Sequence, residues 1–140
     1  AKVDLGAFPW ATFTDPELAH VGLDEARARA RGGGIRVLRW PFAENDRAQA
    51  ECLTDGLIKV VTTPRGRILG ASILGAHAAE LILPWVLAIG RGMGIGALAN
   101  LVVPYPTLAE VSKRAAGSYY VPTLFGERTR RIVRLLARLG

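Results

Sequence analysis

Hydrophobic and polar positions in the first forty residues predict two short strands separated by one helix. Residues 10–14 are rich in aromatic and β-branched side chains, as in a strand. Residues 23–31 predict a surface helix, since acidic side chains occupy the first turn and arginines the last, where the helix dipole favours them. Three glycines at residues 32–34 end that helix. Residues 35–40 then alternate arginines with apolar positions, which predicts a second strand.

The middle of the chain predicts a β-hairpin. Residues 57–63 and 67–74 have strand composition, and the short turn at residues 64–66 favours antiparallel pairing between them. Gly70 inside the second strand indicates a bulge or the close approach of another backbone segment. Because these strands pair locally and the helices do not alternate with them one for one, the predicted fold class is α+β, an antiparallel sheet flanked by helices.

Three helices are predicted in the second half of the chain. Residues 78–90 form a mostly buried helix that Pro84 is expected to kink. Residues 95–101 form a short helix, and residues 107–117 form a longer one. The apolar residues of this last helix share one face: Leu108, Val111 and Ala115.

A tyrosine lies between two prolines just before the last of these helices. Proline fixes its own φ and disfavours helix in the preceding residue, so Pro104 and Pro106 hold Tyr105 in a rigid, extended loop. Thr107 is predicted to cap the following helix, with Glu110 at the capping-box spacing in its first turn. A rigid loop that presents an acid–base side chain at a helix N-terminus is typical of a functional site.

Composition excludes several classes of site and partner. The length of 140 residues predicts one domain, and a single cysteine excludes an internal disulfide and suits a reducing cytoplasm. His20 and His77 lack ligand-spaced partners, so no metal site is predicted.

Of the net charge of +6, residues 127–139 supply +4 through five arginines and Glu127. The basic pI is therefore a property of the tail, and no nucleic-acid partner is predicted.

The C-terminal segment predicts a basic amphipathic helix, and we divide the chain into residues 1–122 and 123–140 on that basis. Four apolar residues fall on one helical stripe: Ile132, Leu135, Leu136 and Leu139. Five arginines cover the rest: Arg128, Arg130, Arg131, Arg134 and Arg138. Three interpretations stay open, namely packing on the chain's own domain, peripheral binding to an anionic membrane surface, and docking on a partner.

Five motifs occur in one order along residues 8–120. They are FTDPELAHVGL at residues 13–23, NDRA at 45–48, the hairpin sequences GLIKV at 56–60 and ILGASILG at 68–75, AAELI at 78–82, and PTLAE at 106–110. Together they resemble the C-terminal dimerisation domain of the pyridine nucleotide-disulfide oxidoreductases, which include glutathione reductase, dihydrolipoamide dehydrogenase and mercuric reductase.

The resemblance implies a homodimer and a longer parent enzyme that binds FAD and NAD(P)H in two preceding domains. No G-x-G-x-x-G run follows a strand and opens a helix here, and the glycine-rich residues 92–96 follow a helix and predict a loop. We therefore expect this 140-residue piece to bind no cofactor and to be inactive alone.

The chain departs from the family at the residue before Pro106. Disulfide reductases of the family place a histidine there, which enters the partner subunit's active site and is oriented by the glutamate five residues later. The resemblance thus implies catalytic roles for Tyr105 and Glu110, and flavin contact through the backbone of Tyr105 and Pro106. A phenol, with a pKa of roughly 10, does not exchange protons near neutrality as imidazole does.

Mercuric reductases also place a tyrosine at this position, so the parent is predicted to be mercuric-reductase-like. The chain ends in residues 137–140 without the vicinal cysteines by which those enzymes deliver the metal. Two alternatives stay open: Tyr105 packs structurally at the dimer interface, or the chain is a non-catalytic self-association module.

Overall fold

Five antiparallel strands form one sheet in the computed structural model, which describes residues 5–137 apart from the side chains of Leu5, Arg128, Ile132, Leu135 and Leu136. The strands are β1 (Pro9–Thr12), β2 (Glu17–Gly22), β3 (Arg36–Pro41), β4 (Leu57–Thr62) and β5 (Ile68–Gly75), in the spatial order β1-β2-β5-β4-β3. The predicted hairpin is confirmed as β4 and β5, and the sheet with its helices confirms the α+β fold class.

The sequence pattern missed β2. Ala19, His20 and Val21 are three consecutive residues that are all buried, so no alternation of apolar and polar positions marks the strand. β2 pairs with β1 on one side and with β5 on the other, so it is an interior strand of the sheet, and its buried residues lie on both of its faces.

Eight helices accompany the sheet in the described part of the chain. They are α1 (Glu25–Ala30), α2 (Asp46–Ala50), α3 (Ala78–Leu81), α4 (Leu83–Gly90), α5 (Ile95–Ala99), α6 (Glu110–Gly117), α7 (Val121–Leu124) and α8 (Glu127–Leu136). The helix predicted over residues 78–90 is divided at Ile82 into α3 and α4, so that Pro84 lies in the first turn of α4, where proline is tolerated.

The C-terminal region also differs from its prediction. The predicted tail helix is present as α8, but residues 123–124 belong to the separate helix α7. The described side chains do not include the predicted apolar stripe of Ile132, Leu135, Leu136 and Leu139, nor Arg128 and Arg138.

The hydrophobic core lies between the sheet and helices α3–α6. One row of cross-strand neighbours shows how the sheet contributes to it: Leu38, Val60, Ala71 and Val21 lie side by side on four strands, and all are buried. Trp85 of α4 is 0% exposed, and its indole Nε1 donates to Ser112 Oγ of α6 at 3.0 Å. This contact joins α4 to α6, the helix that follows the tyrosine loop.

Gly70 allows two backbone segments to approach closely, as its position in the strand predicted. A Cβ atom at Gly70 would lie 2.0 Å from the backbone oxygen of Leu23, far inside van der Waals contact. The Leu23 N–H donates to the Leu69 carbonyl at 2.9 Å at the same place. The chain between β2 and α1 is therefore held against β5 by a hydrogen bond that a larger residue at position 70 would disturb.

Candidate functional site

The segment that joins α5 to α6 projects from the domain and carries Tyr105. We call residues 101–107 the tyrosine loop. Tyr105 is 68% exposed, and Val102 is 95% exposed. The Tyr105–Pro106 peptide bond is cis. The loop therefore presents both an aromatic and an aliphatic side chain to the surroundings of the domain.

The N-terminus of α2 holds the tyrosine loop through two consecutive residues. Asn45 is buried, accepts the Ala48 N–H at 2.9 Å as the helix N-cap, and donates from Nδ2 to the Thr107 carbonyl at 3.1 Å. Asp46 accepts a hydrogen bond from the Tyr105 hydroxyl on Oδ2 at 2.7 Å. The loop is thus fixed at its backbone by Asn45 and at its aromatic side chain by Asp46.

Sequence reasoning missed both α2 and its contact with the loop. The only signal was the motif at residues 45–48. Asparagine is a common N-cap residue, and its side chain usually accepts a backbone N–H two or three positions later, which here is that of Ala48. That signal indicates a helix start, but it does not indicate that a residue about sixty positions later binds there.

The capping box predicted for Thr107 and Glu110 is wrong. The Thr107 hydroxyl donates to the Pro104 carbonyl at 2.8 Å, inside the loop, instead of capping a helix. α6 begins at Glu110, with Ala109 at the N-cap position and no side-chain cap. The turn that contains both prolines places the Thr107 hydroxyl beside Pro104, so the helix begins three residues later than predicted.

The Asp46 carboxylate raises the pKa of the Tyr105 hydroxyl above its ordinary value. The largest cause is the hydrogen bond from the phenol to Asp46, followed by the negative charge of Asp46, since both disfavour the phenolate. Tyr105 is therefore neutral at physiological pH. Its proton is directed at Asp46, while the lone pairs of the phenol oxygen can accept a hydrogen bond.

Glu110 is half-buried at the start of α6, and its negative charge contributes only weakly to the raised pKa of Tyr105. It lines a cavity of about 390 Å³, together with Trp40, Ala99, Lys113, Arg114, Gly117, Ser118 and Val121. The structure thus pairs the tyrosine hydroxyl with Asp46 and directs Glu110 toward a different, mixed-charge cavity. The catalytic role of Glu110 stays a prediction.

Replacing Asp46 by asparagine tests the Tyr105–Asp46 contact. The Asp46→Asn variant removes the negative charge and converts a charge-assisted hydrogen bond into a neutral one, so the pKa of Tyr105 should fall toward its ordinary value. The measurement is a pH titration of the ¹³Cζ resonances of labelled tyrosines, with Tyr105→Phe used to assign the signal. Asp55→Asn, at another exposed aspartate, is the matched control and should leave that midpoint unchanged. An unchanged midpoint in Asp46→Asn contradicts the contact.

The surroundings of His20 give it a structural role in the sheet. Its Nδ1 lies 2.8 Å from Ser72 Oγ, and its Nε2 lies 3.0 Å from the Gly22 carbonyl. A neutral ring that carries its proton on Nε2 satisfies both contacts. Cys52, by contrast, is exposed and not the buried residue that its apolar character suggests.

Residues 5–137 also bear on metal binding and on membrane crossing. No group of three His, Cys, Asp or Glu side chains that could hold a metal ion occurs among these residues. Within the same residues, no helix is both long and apolar enough to cross a bilayer.

The chain matches proteins of known family over most of its length. Residues 8–116 match the family model described as the dimerisation domain of pyridine nucleotide-disulphide oxidoreductases. Dihydrolipoyl dehydrogenase of Bacillus subtilis (strain 168) is 39% identical over 117 residues, which are 83% of this chain and 25% of that protein. The corresponding protein of Geobacillus stearothermophilus is 40% identical over 117 residues, with the same coverage of 83% and 25%.

Solved structures give the same result. LpdA from Mycobacterium tuberculosis superposes with a TM-score of 0.78 at 27% identity, over 84% of this chain and 26% of that one. The Cu(II) complex of the HOCl-induced flavoprotein disulfide reductase RclA from Escherichia coli has a TM-score of 0.77 at 27% identity, over 80% and 26%. The chain spans about a quarter of the length of these relatives. It belongs to the pyridine nucleotide-disulphide oxidoreductase family, as a dimerisation domain of that family.

Proposed function

We propose that this chain is the dimerisation domain of an FAD-dependent NAD(P)H oxidoreductase and that it supplies the tyrosine loop to the active site of the partner subunit. The observation that carries the proposal is the exposure of Tyr105, at 68%, on a loop that Asn45 and Asp46 hold in place. A side chain that is held by hydrogen bonds and yet projects outward is arranged for contact with another surface. A loop that only closed the domain would turn its aromatic ring toward the core.

The outer face of α4 is the surface proposed to form the two-fold contact. Leu83 and Leu87 lie one helical turn apart and are 66% and 58% exposed, although both are large and apolar. Leu101 and Val102 of the tyrosine loop are also exposed. A groove of about 170 Å³ lies between Pro84 of α4 and Leu101 and Val103 of the tyrosine loop, and most of the side chains that line it are apolar. A second copy that covered α4 would therefore reach the base of the tyrosine loop.

FAD and NAD(P)H are proposed as cofactors of the parent enzyme only. When bound there, FAD accepts hydride from NAD(P)H and passes electrons to the acceptor. We propose that this chain contacts the partner's flavin through the backbone of Tyr105 and Pro106, two residues that are exposed. Its glycine-rich residues 92–96 follow α4 and lead into the five-residue helix α5, which does not resemble the strand–loop–helix cradle for a dinucleotide. We therefore propose that the isolated chain holds no flavin and has no turnover.

The parent enzyme is proposed to be mercuric-reductase-like, so that its electron acceptor is a metal ion and not a disulfide. Tyr105 supports this proposal, because a phenol with a raised pKa is a neutral hydrogen-bond donor and an oxygen ligand, and does not relay protons at neutral pH as imidazole does. The relatives reported above are dihydrolipoyl dehydrogenases and disulfide reductases, so the proposed acceptor depends on Tyr105 alone.

Self-association of the 140-residue chain tests the dimerisation part of the proposal. Sedimentation equilibrium should show a dimer, and the double variant Leu83→Glu/Leu87→Glu should weaken it by roughly a hundredfold or more, because each protomer would bury two unpaired carboxylates. Leu124→Glu/Val133→Glu changes two other exposed apolar residues outside the matched region and should leave the dimer intact. A monomeric wild-type chain, or loss of the dimer only in the Leu124→Glu/Val133→Glu control, would contradict the proposal that the outer face of α4 forms the dimer contact.

The same sample tests the cofactor part of the proposal. The purified chain should lack flavin absorbance in the visible range. A yellow protein would contradict the proposal that the dinucleotide site lies outside this chain.

A further inference from the structure

The segment after the matched region exposes a run of apolar side chains. The match to the family ends at residue 116, and α7 and α8 follow it. All five residues of Val121–Phe125 are exposed; among them, Leu124 is 59% exposed and Phe125 is 65% exposed. In α8, Val133 is 57% exposed. Leu124, Phe125 and Val133 are therefore not covered by the chain's own domain, as the first of the three interpretations of the tail would require.

α7 and α8 are held next to each other, so that their apolar residues share one groove. The Thr129 hydroxyl of α8 donates to the Thr123 carbonyl of α7 at 2.6 Å. Between the helices lies an open cavity of about 350 Å³ whose walls are almost entirely apolar: Leu124, Thr129, Val133 and the side-chain stems of Arg130 and Arg134. This pairing gives a continuous apolar surface wider than either short helix alone.

Arginines border this apolar groove. Arg130, Arg131 and Arg134 are all exposed. Glu127 is the only acidic residue in the sequence after Glu110, so the arginines of α8 are almost uncompensated within their own segment. Apolar side chains flanked by guanidinium groups have the arrangement of helices that lie at the boundary between lipid headgroups and acyl chains.

We propose that α7 and α8 form a site that binds the surface of an anionic phospholipid bilayer. The apolar residues Leu124, Phe125 and Val133 enter the headgroup boundary, and the arginines contact lipid phosphates, which guanidinium binds in a bidentate manner. α8 has ten residues, about 15 Å of helix, and so lies along the bilayer surface.

Charge complementarity favours a lipid surface over two other binding partners of the segment, namely a second copy of the same segment and the chain's own domain. A second copy of the same segment would bring two sets of arginines together across a two-fold axis, where like charges repel. Docking on the chain's own domain would have to cover side chains that the structure leaves exposed. An anionic bilayer satisfies both the apolar and the basic residues at once.

Vesicle co-sedimentation of the 140-residue chain tests the proposal. The probes are vesicles of phosphatidylcholine alone and vesicles that also contain phosphatidylglycerol. We expect binding to the anionic vesicles that weakens as salt is raised. Each basic residue near an anionic surface contributes about a fivefold gain in binding, so the variant Arg130→Gln/Arg131→Gln/Arg134→Gln should bind roughly a hundredfold more weakly. Leu124→Ser/Phe125→Ser should also lose binding.

The matched control removes the same charge elsewhere. Arg31, Arg65 and Arg91 are exposed arginines far from the tail in sequence, and changing all three to glutamine should leave vesicle binding close to that of the wild type. Circular dichroism verifies that each variant is folded. Three outcomes would each overturn the proposal. The first is an equal loss of vesicle binding in the control and tail variants, and the second is equal binding to both kinds of vesicle. The third is tail variants that alter only self-association. The last outcome would assign the segment to a second copy of the chain and leave the α4 interface unaffected.

Discussion

Replacing Trp85 by alanine is expected to lower the free energy of unfolding by about 3–5 kcal/mol, the range for removing a large aromatic side chain from a core. Trp85 is completely buried, and the alanine would leave a cavity that the surrounding strands and helices fill only in part. It would also leave the Ser112 hydroxyl, which is itself buried, without its indole partner. A domain of this size has a total stability of roughly 5–15 kcal/mol, so a large part of it should be lost.

Chemical denaturation of the chain measures this effect, and Trp10→Ala is the matched control. Trp10 is 49% exposed on β1 at the edge of the sheet, so the same substitution should cost much less there. Trp85 joins α4 to α6, and α4 carries Leu83 and Leu87. Trp85→Ala should therefore also weaken the dimer contact proposed for α4. Equal costs at Trp10 and Trp85 would show that the core is not centred between these helices.

The sequence predicted those parts of the fold whose signals are local. The hairpin of β4 and β5 follows from two apolar runs and a short turn, and Gly70 inside β5 indicated the close backbone approach that the structure shows. The strand β2 was missed because its buried residues are consecutive and give no alternation. The helix α2 was missed because five residues are too few to show a helical period. Both elements are stabilised by contacts distant in sequence, which no local pattern contains.

In the candidate site, too, the sequence predicted the local features and missed the contacts between residues distant in the chain. The two prolines around Tyr105 and the family motif after it identified the loop, and the structure exposes that tyrosine. The partner of Tyr105 was not predicted, because Asp46 lies 59 positions earlier in the chain and the capping pattern at Thr107 suggested a local role instead. Glu110, which the family resemblance pairs with the loop residue, lines a different cavity. The tyrosine that stands where the family places a histidine therefore contacts Asp46, and not the glutamate that the resemblance implies.

Tyr105→Phe in the full-length parent enzyme is expected to lower turnover with the natural acceptor by roughly tenfold or more, because the variant lacks the oxygen that is proposed to bind the acceptor, and a contact worth about 1.4 kcal/mol in the transition state is a factor of ten in rate. The reduction of flavin by NAD(P)H should proceed at the wild-type rate, because hydride transfer does not involve the tyrosine loop. The two rates are measured separately, by steady-state turnover and by rapid mixing without oxygen. Tyr120→Phe is the matched control, because Tyr120 lies beyond the matched region, and it should affect neither rate. Unchanged turnover in Tyr105→Phe would assign Tyr105 to packing at the dimer interface.

Hybrid dimers decide whether Tyr105 acts on the partner's flavin. One subunit carries Tyr105→Phe, and the other carries a change in its flavin domain that prevents hydride transfer. If the tyrosine loop crosses the two-fold axis, the first subunit's flavin faces the intact Tyr105 of the second, so one competent site remains and about half of the wild-type activity returns. If the loop serves its own subunit, neither site is complete and the hybrid is inactive. The groove that Pro84 of α4 shares with Leu101 and Val103 of the tyrosine loop predicts the first result, because the contact proposed for α4 would bring the loop of one protomer toward the other.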